Sequence, residues 1–301
     1  MSDKKVSLVD KIRNRLNENS TKEGGVTKAF KEDDDLLQVK SWIPLKPFFK
    51  LGTGGEGFPC GHITQVIGAP DSGKSTLVME GMVSCQKLGG IVYLIDSEHK
   101  FSLPRFVLMG GKAEDLIIMQ VDTLEEAWTA VDGILKEVQT LREEGITAPM
   151  MMAWDSIAAS VPESIMESES GDFHVAVEAK MNNKNVRKLR QAIKKTELAC
   201  VLINHFYMTM PKPFEQSKLI VKGGEEMSFM STLIILTKQG AKIERDIKGE
   251  KQQIGRMTKF TVHKGHFHGR TITKEVRVVD IGILESEEDF DKYKKTLKGD
   301  I

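Results

Sequence analysis

Residues 63–75, ITQVIGAPDSGKS, decide the fold of this chain. The segment Ile63–Ile67 is predicted to be an apolar strand, and GAPDSGKS after it matches the pattern GxxxxGK[S/T], with a helix expected from Lys74. Glycines in this pattern let backbone N–H groups curl around phosphate oxygens, and the helix N-terminus adds a positive field. A chance glycine-rich turn is the alternative, but it would not need to lie between a strand and a helix.

The phosphate loop predicts ATP and Mg²⁺ as cofactors. Lys74 is expected to reach the β- and γ-phosphates, and the Ser75 hydroxyl is expected to bind the metal. The residues assigned to the nucleotide are Gly68, Pro70, Asp71, Ser72, Gly73, Lys74, Ser75 and Thr76.

Carboxylates follow two further apolar strands. Asp155 ends the strand Met150–Trp154, at the edge where open parallel sheets bind ligands, and is predicted to hold Mg²⁺; a helix cap is the alternative. ATP hydrolysis needs a group that takes a proton from, or orients, the attacking water. Glu98, just after the strand Ile91–Ile95, is the first candidate and Asp96 the second, unless both are solvent-facing loop residues.

Outward from the loop, apolar strands alternate with amphipathic helices. This pattern predicts an α/β fold with a mostly parallel central sheet covered by helices on both faces. The remaining segments are helices at Leu124–Leu141 and 175–195 and strands at Cys200–Ile203, Leu233–Leu236 and Phe260–Val262.

The two ends of the chain differ from this core. Apolar residues at Val6, Val9, Ile12 and Leu16 predict an amphipathic helix within residues 4–20, followed by a polar linker. The helix either folds back on its own domain or docks on a neighbouring subunit as an oligomerisation arm. From Glu285 the sequence is rich in acids and lysines, which predicts a loose tail. We therefore expect an arm at 1–35, a core at 36–284 and a short tail at 285–301.

The composition argues against several classes of protein, among them globally basic nucleic-acid binders and disulfide-rich proteins. The formal net charge is zero, so DNA contacts would have to come from local basic segments. Three cysteines, with no CxxC pair, argue against a disulfide framework or zinc ribbon. No signal peptide and no apolar run of about 18 residues is found, so a cytoplasmic protein without membrane contact is expected.

Residues 206–225 are a candidate DNA-binding loop. Lysines neutralise phosphate and aromatic rings stack on bases, and Pro211 and Pro213 oppose regular structure. A disordered surface loop is the alternative. The candidate contacts are Phe206, Tyr207, Lys212, Phe214, Lys218 and Lys222.

Two other basic clusters stand out. The helix around 180–195 carries seven cations and no acid, and Arg187 and Arg190 are its candidate phosphate contacts; a solvated helix face is the alternative. His263, His266 and His268 surround Lys264 without a carboxylate or cysteine. This favours a phosphate- or interface-facing strand end over a metal site.

Taken in order, these motifs resemble the RecA/UvsX recombinases over residues 36–284. Ile43-Pro44 before the core and Asn204-His205 are closest to the phage UvsX branch, and a short form lacking most of the family's C-terminal domain is implied. The matching motifs are Asp96-Ser97-Glu98-His99, Asp155-Ser156-Ile157-Ala158-Ala159, Ile203-Asn204-His205 and Gly223-Gly224.

The resemblance implies a role for several single residues. Glu98 matches the catalytic glutamate, and His205 matches the residue that senses the γ-phosphate and signals to loop 206–225. Gly223 and Gly224 would contact DNA at the end of that loop, and an earlier DNA loop would span 161–172. Lys264 and His266 match two lysines that reach a neighbour's ATP, although the second is a histidine here. Arg105 falls near the aromatic residue that stacks on adenine, a contact that arginine could replace by cation–π stacking.

The resemblance also implies the activity. The expected protein is a DNA-dependent ATPase that forms a helical homo-oligomeric filament on single-stranded DNA. It would promote pairing and strand exchange with double-stranded DNA in the cytoplasm of a bacterial or phage-infected cell. A single-strand-binding protein and a loader are implied as helpers. The alternatives are a hexameric DNA motor or helicase on the same fold and a non-hydrolysing, ATP-gated DNA-binding scaffold.

Overall fold

A computed structural model describes residues 8–22, 39–46, 56–166, 174–208, 219–222, 224–247, 249–267 and 271–297. The chain divides into two units, residues 1–40 and 41–301. The first contains helix α1, Leu8–Lys22, in the region predicted to be helical. Three apolar side chains spaced along one face of this helix, Val9, Ile12 and Leu16, are 61%, 48% and 56% exposed. Val6 and the predicted linker at 23–35 lie outside the described residues.

The second unit contains alternating strands and helices. Its elements are β1 (Trp42–Pro44), β2 (Gly57–Pro59), β3 (Ile63–Gly68), α2 (Lys74–Lys87), β4 (Ile91–Asp96), α3 (Leu103–Leu108), β5 (Leu116–Gln120), α4 (Leu124–Glu143), β6 (Met150–Asp155), a 3₁₀ turn (Ile157–Ala159), α5 (Glu163–Met166), α6 (His174–Thr196), β7 (Ala199–Asn204), β8 (Phe206–Met208), β9 (Leu219–Val221), α7 (Glu225–Met230), β10 (Leu233–Ile247), β11 (Glu250–Gly265), β12 (Ile272–Val279), β13 (Gly282–Leu284) and α8 (Glu287–Thr296).

A nine-stranded sheet has the order β13-β12-β11-β10-β3-β7-β6-β4-β5. The strands from β10 to β5 are parallel, and β10 to β13 pair antiparallel. The predicted mostly parallel α/β core is confirmed. The short strands predicted at Leu233–Leu236 and Phe260–Val262 are only the most apolar parts of a long hairpin, β10–β11, whose outer half is mostly polar and has a weak hydrophobic pattern.

Helices cover both faces of the sheet because the central strands bury alternate residues in opposite directions. In β6, Met151 and Ala153 belong to the same hydrophobic cluster as Leu77 of α2. Met152 and Trp154 belong to a second cluster with the inner faces of α4 and α6. The carboxyl ends of the parallel strands are thereby held at one edge of a rigid three-layer core.

The prediction of a loose tail from Glu285 was wrong for residues 287–296, which form helix α8. Ser286 caps this helix by accepting the Asp289 N–H. Phe290 and Tyr293, one turn apart, are buried against Val279 and Leu284. The acidic and lysine-rich composition of the segment hid this aromatic pair. None of the described helices is long and apolar enough to cross a membrane.

Candidate active site

The phosphate loop connects β3 to α2, as the motif predicts. Gly68 and Gly73 are both required by geometry. A Cβ on Gly68 would lie 2.0 Å from the Thr237 hydroxyl oxygen, and Gly73 has φ +86°, which favours glycine. The loop is also supported from β10, since Ser72 Oγ donates to Ala69 O at 2.6 Å and lies 2.6 Å from Thr237 Oγ1. Thr237 carries no sequence signal and was missed.

Lys74 lies inside the loop. Its Nζ donates to the carbonyl oxygens of Gly68, at 3.1 Å, and Ala69, at 2.8 Å. Burial lowers the pKa of Lys74, while the carboxylates of Asp155 and Glu98 act in the opposite direction. The ammonium group is therefore held within the field of two acids at the edge of the sheet.

Ser75 and Asp155 meet at the carboxyl ends of β3 and β6. Ser75 Oγ donates to Asp155 Oδ2 at 2.7 Å. Burial raises the pKa of Asp155 to about 6, against the lowering effect of the Ser75 hydrogen bond. A hydroxyl and a carboxylate oxygen are the hard ligands that Mg²⁺ takes alongside substrate phosphates, so this pair fits the predicted metal.

Glu98 lies beside that pair and is held by three donors. Ser156 Oγ donates to Glu98 Oε1 at 2.7 Å, and Lys100 Nζ is 3.4 Å from Oε2. His205 Nε2 is 3.5 Å from Oε1. Burial raises the pKa of Glu98, but these donors outweigh it and the pKa is lowered. The carboxylate is therefore ionised at neutral pH, the state in which it can orient an attacking water, and its role as the base stays a prediction.

Asp96, the alternative base, has a different environment. It is 3% exposed, and its side chain accepts the backbone N–H groups of Lys100 and Phe101. Its oxygens therefore fix the loop that carries Glu98. This geometry supports Glu98 rather than Asp96 as the group that handles the attacking water.

His205 joins this site to the candidate DNA loop. Asn204 Nδ2 donates to Lys222 O at 2.7 Å, and the Lys222 N–H donates to His205 O at 3.0 Å. Strands β8 and β9 then pair antiparallel, so the ends of the predicted irregular loop 206–225 are regular. His205 therefore touches Glu98 through its ring and the base of a hairpin through its backbone.

The other DNA-binding candidates have varied positions. Arg187 forms an ion pair with Glu226 at 2.9 Å, and Arg190 Nη1 donates to the sulfur of Met230 at 3.5 Å, so α7 covers part of the basic face of α6. Gly224 has φ +98° and lies against Ala179 of α6.

In the hairpin itself, Phe206 is half-buried at the start of β8, Tyr207 pairs with Ile220, and Lys222 is exposed. The residues that lie outside the described part of the chain are Lys212, Phe214, Lys218, Gly223, His268 and 167–172 of the earlier loop.

A pocket of about 640 Å³ opens beside the phosphate loop. Asp71–Thr76 form one wall, and Arg105 lies at one end, where it donates to Thr76 Oγ1 at 2.8 Å, Val279 O at 3.1 Å and Asp280 O at 3.3 Å. The opposite wall belongs to hairpin β10–β11. The residues of that wall, which carry no sequence signal, include Lys242, Gln253, Ile254, Gly255 and Arg256.

Lys264 and His266 lie at the other end of the sheet. Thr237 of β10 pairs with Gly68, whereas Ile234 pairs with Lys264, about 10 Å back along the strand. Lys264 Nζ donates to the carbonyl oxygens of Ser228, at 2.8 Å, and Phe229, at 3.2 Å. Within one chain, the structure therefore does not bring Lys264 and His266 to the phosphate loop.

The fold and the loop after β3 define a P-loop nucleotide-binding protein of the α/β class. The sequence matches the family model of the RecA N-terminal domain over residues 19–284, and the chain belongs to that family. Proteins of this family are DNA-dependent ATPases that bind ATP with Mg²⁺, act on DNA and form oligomeric filaments. The chain is accordingly a RecA-type recombinase or ATPase.

Proposed function

We propose that this chain is an ATP-dependent recombinase similar to the phage UvsX branch. It would form filaments on single-stranded DNA and promote homologous pairing and strand exchange with a duplex. The observation that carries the proposal is the position of His205. Its ring lies 3.5 Å from Glu98, and its backbone pairs with Lys222 at the base of the hairpin that leads into the basic loop. One residue thus links the hydrolytic site to the DNA-binding candidate.

In the proposed reaction, Glu98 accepts a proton from water. The water oxygen bonds to the γ-phosphorus as the bond from that phosphorus to the β–γ bridging oxygen breaks, and ADP and phosphate are the products. Lys74 neutralises charge on the β- and γ-phosphates. Ser75 and Asp155 would hold Mg²⁺, which supplies further neutralisation of phosphate oxygens.

A neighbouring subunit would complete the site. Lys264 and His266 lie at the other end of the sheet from their own phosphate loop, so their side chains could serve only an adjacent chain, as in an arginine-finger arrangement. Bound ATP would then stabilise the filament, and its hydrolysis would release the contact through His205. The exposed apolar face of α1 supports its role as an oligomerisation arm ahead of a core at 36–284.

DNA would bind along loops 161–172 and 206–225, with Arg187 and Arg190 of α6 as neighbouring phosphate contacts. The ion pair with Glu226 partly neutralises Arg187, so Arg190 and Lys222 are the stronger electrostatic candidates among the described residues. A single-strand-binding protein and a loader would assist assembly on DNA that is already covered.

The test is ATP turnover with and without single-stranded DNA. We expect Glu98→Gln to lower stimulated turnover by about 10²-fold or more, because proton transfer by a positioned carboxylate contributes about that factor. His205→Ala should lose DNA stimulation, measured as the ratio of turnover with and without single-stranded DNA. Glu137→Gln, on the exposed face of α4, is the matched control.

Three outcomes would contradict the proposal. Full DNA stimulation in His205→Ala would refute the link between site and loop. Closed rings of fixed size in electron micrographs would favour a hexameric motor. Filaments of the wild type without turnover would favour an ATP-gated scaffold.

A further inference from the structure

The pocket beside the phosphate loop has a cationic wall that lies outside the recognised motifs. Lys242 of β10 and Arg256 of β11 are cross-strand neighbours in the long hairpin, and both line the pocket. The opposite wall is the loop Asp71–Thr76. Two positive side chains therefore face the part of the loop whose backbone N–H groups cradle phosphate.

The direction of Arg256 follows from its strand. Side chains alternate along β11, so Arg256, Thr258 and Phe260 share one face. Atoms of Thr258 and Phe260 lie 3.5 Å from the point where a Cβ on Gly73 would stand. Arg256 extends the same face two residues further along, toward the rim of the pocket.

Arg256 is also connected to the rim of the phosphate loop. Its Nη1 donates to Gln239 Oε1 at 2.6 Å and to Gly240 O at 3.3 Å, and Gln239 Nε2 donates to Pro70 O at 3.5 Å. A guanidinium group has five N–H donors. The hydrogen bonds found among the described residues use only Nη1, so Nε and Nη2 can donate to a ligand.

The position of the pocket determines which part of a nucleotide it would take. Glu98 and Asp155, which mark the γ-phosphate end, do not line it, whereas Lys74, Ser75 and Thr76 do. The N–H groups at this part of the loop bind the α- and β-phosphates. The hairpin wall therefore faces the diphosphate that ATP and ADP share.

We propose that Arg256, with Lys242 beside it, is a nucleotide-positioning residue that contacts this diphosphate from the hairpin of the same chain. The inference rests on the proposed function only in that the loop binds ATP. Because the contact would be the same in substrate and product, it adds uniform binding. Its loss should raise KM and the Kd of ADP by one factor and leave kcat unchanged.

The experiment measures the Kd of MgADP and the kcat and KM of ATP turnover in Arg256→Gln, Arg256→Lys and the full-length wild type. We expect about a tenfold rise in Kd and KM for Arg256→Gln, since hydrogen bonds to charged groups contribute that much in a half-exposed site. Arg256→Lys should recover most of the affinity. Lys259→Gln, on the opposite face of β11 and exposed, is the control.

Two further measurements separate direct contact from a structural role. Gln239→Leu breaks the connection to Pro70 and removes one acceptor of Arg256 Nη1. It keeps the charge of the guanidinium, its Nε and Nη2 donors and its bond to Gly240 O, so it should lose clearly less MgADP affinity than Arg256→Gln. The salt dependence of the Kd should be weaker in Arg256→Gln, because a phosphate contact is screened by salt. Agreement of both with these expectations supports the proposal.

The inference is overturned if wild type and Arg256→Gln bind MgADP equally, if Gln239→Leu reproduces the loss, or if the salt dependence does not change. It also fails if kcat falls while KM stays constant. A wild-type protein that binds no MgADP would instead refute the proposed function, which is a separate outcome.

Discussion

The two ends of the central sheet differ in how complete they are within one chain. At the carboxyl ends of the parallel strands, Ser75 contacts Asp155 at 2.7 Å, and Glu98 contacts Ser156 at 2.7 Å and His205 at 3.5 Å. At the opposite end, Lys264 has only backbone carbonyls as hydrogen-bond partners among the described residues. One chain therefore brings together the nucleotide-binding residues of the candidate site, and under the proposed function Lys264 would act only on the nucleotide of a second copy.

The largest expected effect comes from removing Lys264 in one variant and Glu98 in another, which disables one half of the candidate site in each. Lys264→Ala and Glu98→Gln should each lower DNA-stimulated turnover by about 10²-fold or more. If Lys264 serves a neighbour, an equal mixture of the two variants forms some interfaces with both groups intact. Random assembly should then restore about a quarter of wild-type turnover, because the contact is head-to-tail.

The mixing experiment has a built-in control. Glu98→Gln mixed with itself at the same total concentration contains no intact interface and should stay inactive. If the mixture of the two variants also stays inactive while both still form filaments, Lys264 does not act across the interface. The contrast between the two ends of the sheet would then be structural only.

A smaller effect concerns the free energy of unfolding, which the buried carboxylate of Asp155 lowers when no nucleotide is bound. The pKa of Asp155 is raised from 3.8 to about 6, so the folded protein holds this proton more tightly than the unfolded chain. Stability from this group is therefore present at low pH and is lost as pH rises through 6. Asp155→Asn should stabilise the nucleotide-free protein at pH 7.5 by on the order of 2 kcal/mol.

Urea unfolding at pH 7.5 and at pH 5.5 measures this effect. The advantage of Asp155→Asn should shrink at the lower pH, where the wild-type carboxyl is largely protonated. Asp132→Asn, exposed on α4, provides the control and should show no such change. A variant less stable than wild type at pH 7.5 would contradict the assignment of burial as the main cause.

Local patterns predicted where the phosphate loop and the two strands that carry acids lie in the sheet. The phosphate loop lies between strand and helix as the motif requires. Glu98 follows β4 and Asp155 ends β6, and they lie at one edge of the sheet because the carboxyl ends of parallel strands share it. Both signals are short in sequence: a glycine pattern and an acid after an apolar run. The fold class followed from the alternation of apolar strands and amphipathic helices along the chain.

Long-range features were less predictable. The outer half of hairpin β10–β11 is mostly charged and polar, with a few half-buried isoleucines such as Ile243 and Ile254. Its hydrophobic pattern is therefore too weak to mark Arg256 or Lys242. Thr237 supports the phosphate loop from a strand about 170 residues away, and only the sheet order brings them together. Helix α8 was missed because two aromatic residues among many charges give too weak a pattern.

The smallest expected effect comes from the single hydrogen bond between Ser156 and Glu98. Ser156 is fully buried, and its hydroxyl donates to Glu98 Oε1, which favours the ionised carboxylate and fixes its direction. Ser156→Ala should lower kcat by about five- to tenfold with KM nearly constant, because one hydrogen bond to a charged group is lost. It should also raise the pKa of Glu98 and move the acid limb of the kcat profile to higher pH.

Ser160→Ala is the control for this prediction. It removes a buried hydroxyl that has no hydrogen-bond partner among the described residues, and it should leave both kcat and the pH profile unchanged. An unshifted profile in Ser156→Ala would mean that Lys100 and His205 hold Glu98 without help. The position of the Glu98 carboxylate would then depend mainly on His205 and Lys100. His205 also leads to the candidate DNA-binding loop, so the loop and the carboxylate would be coupled more directly.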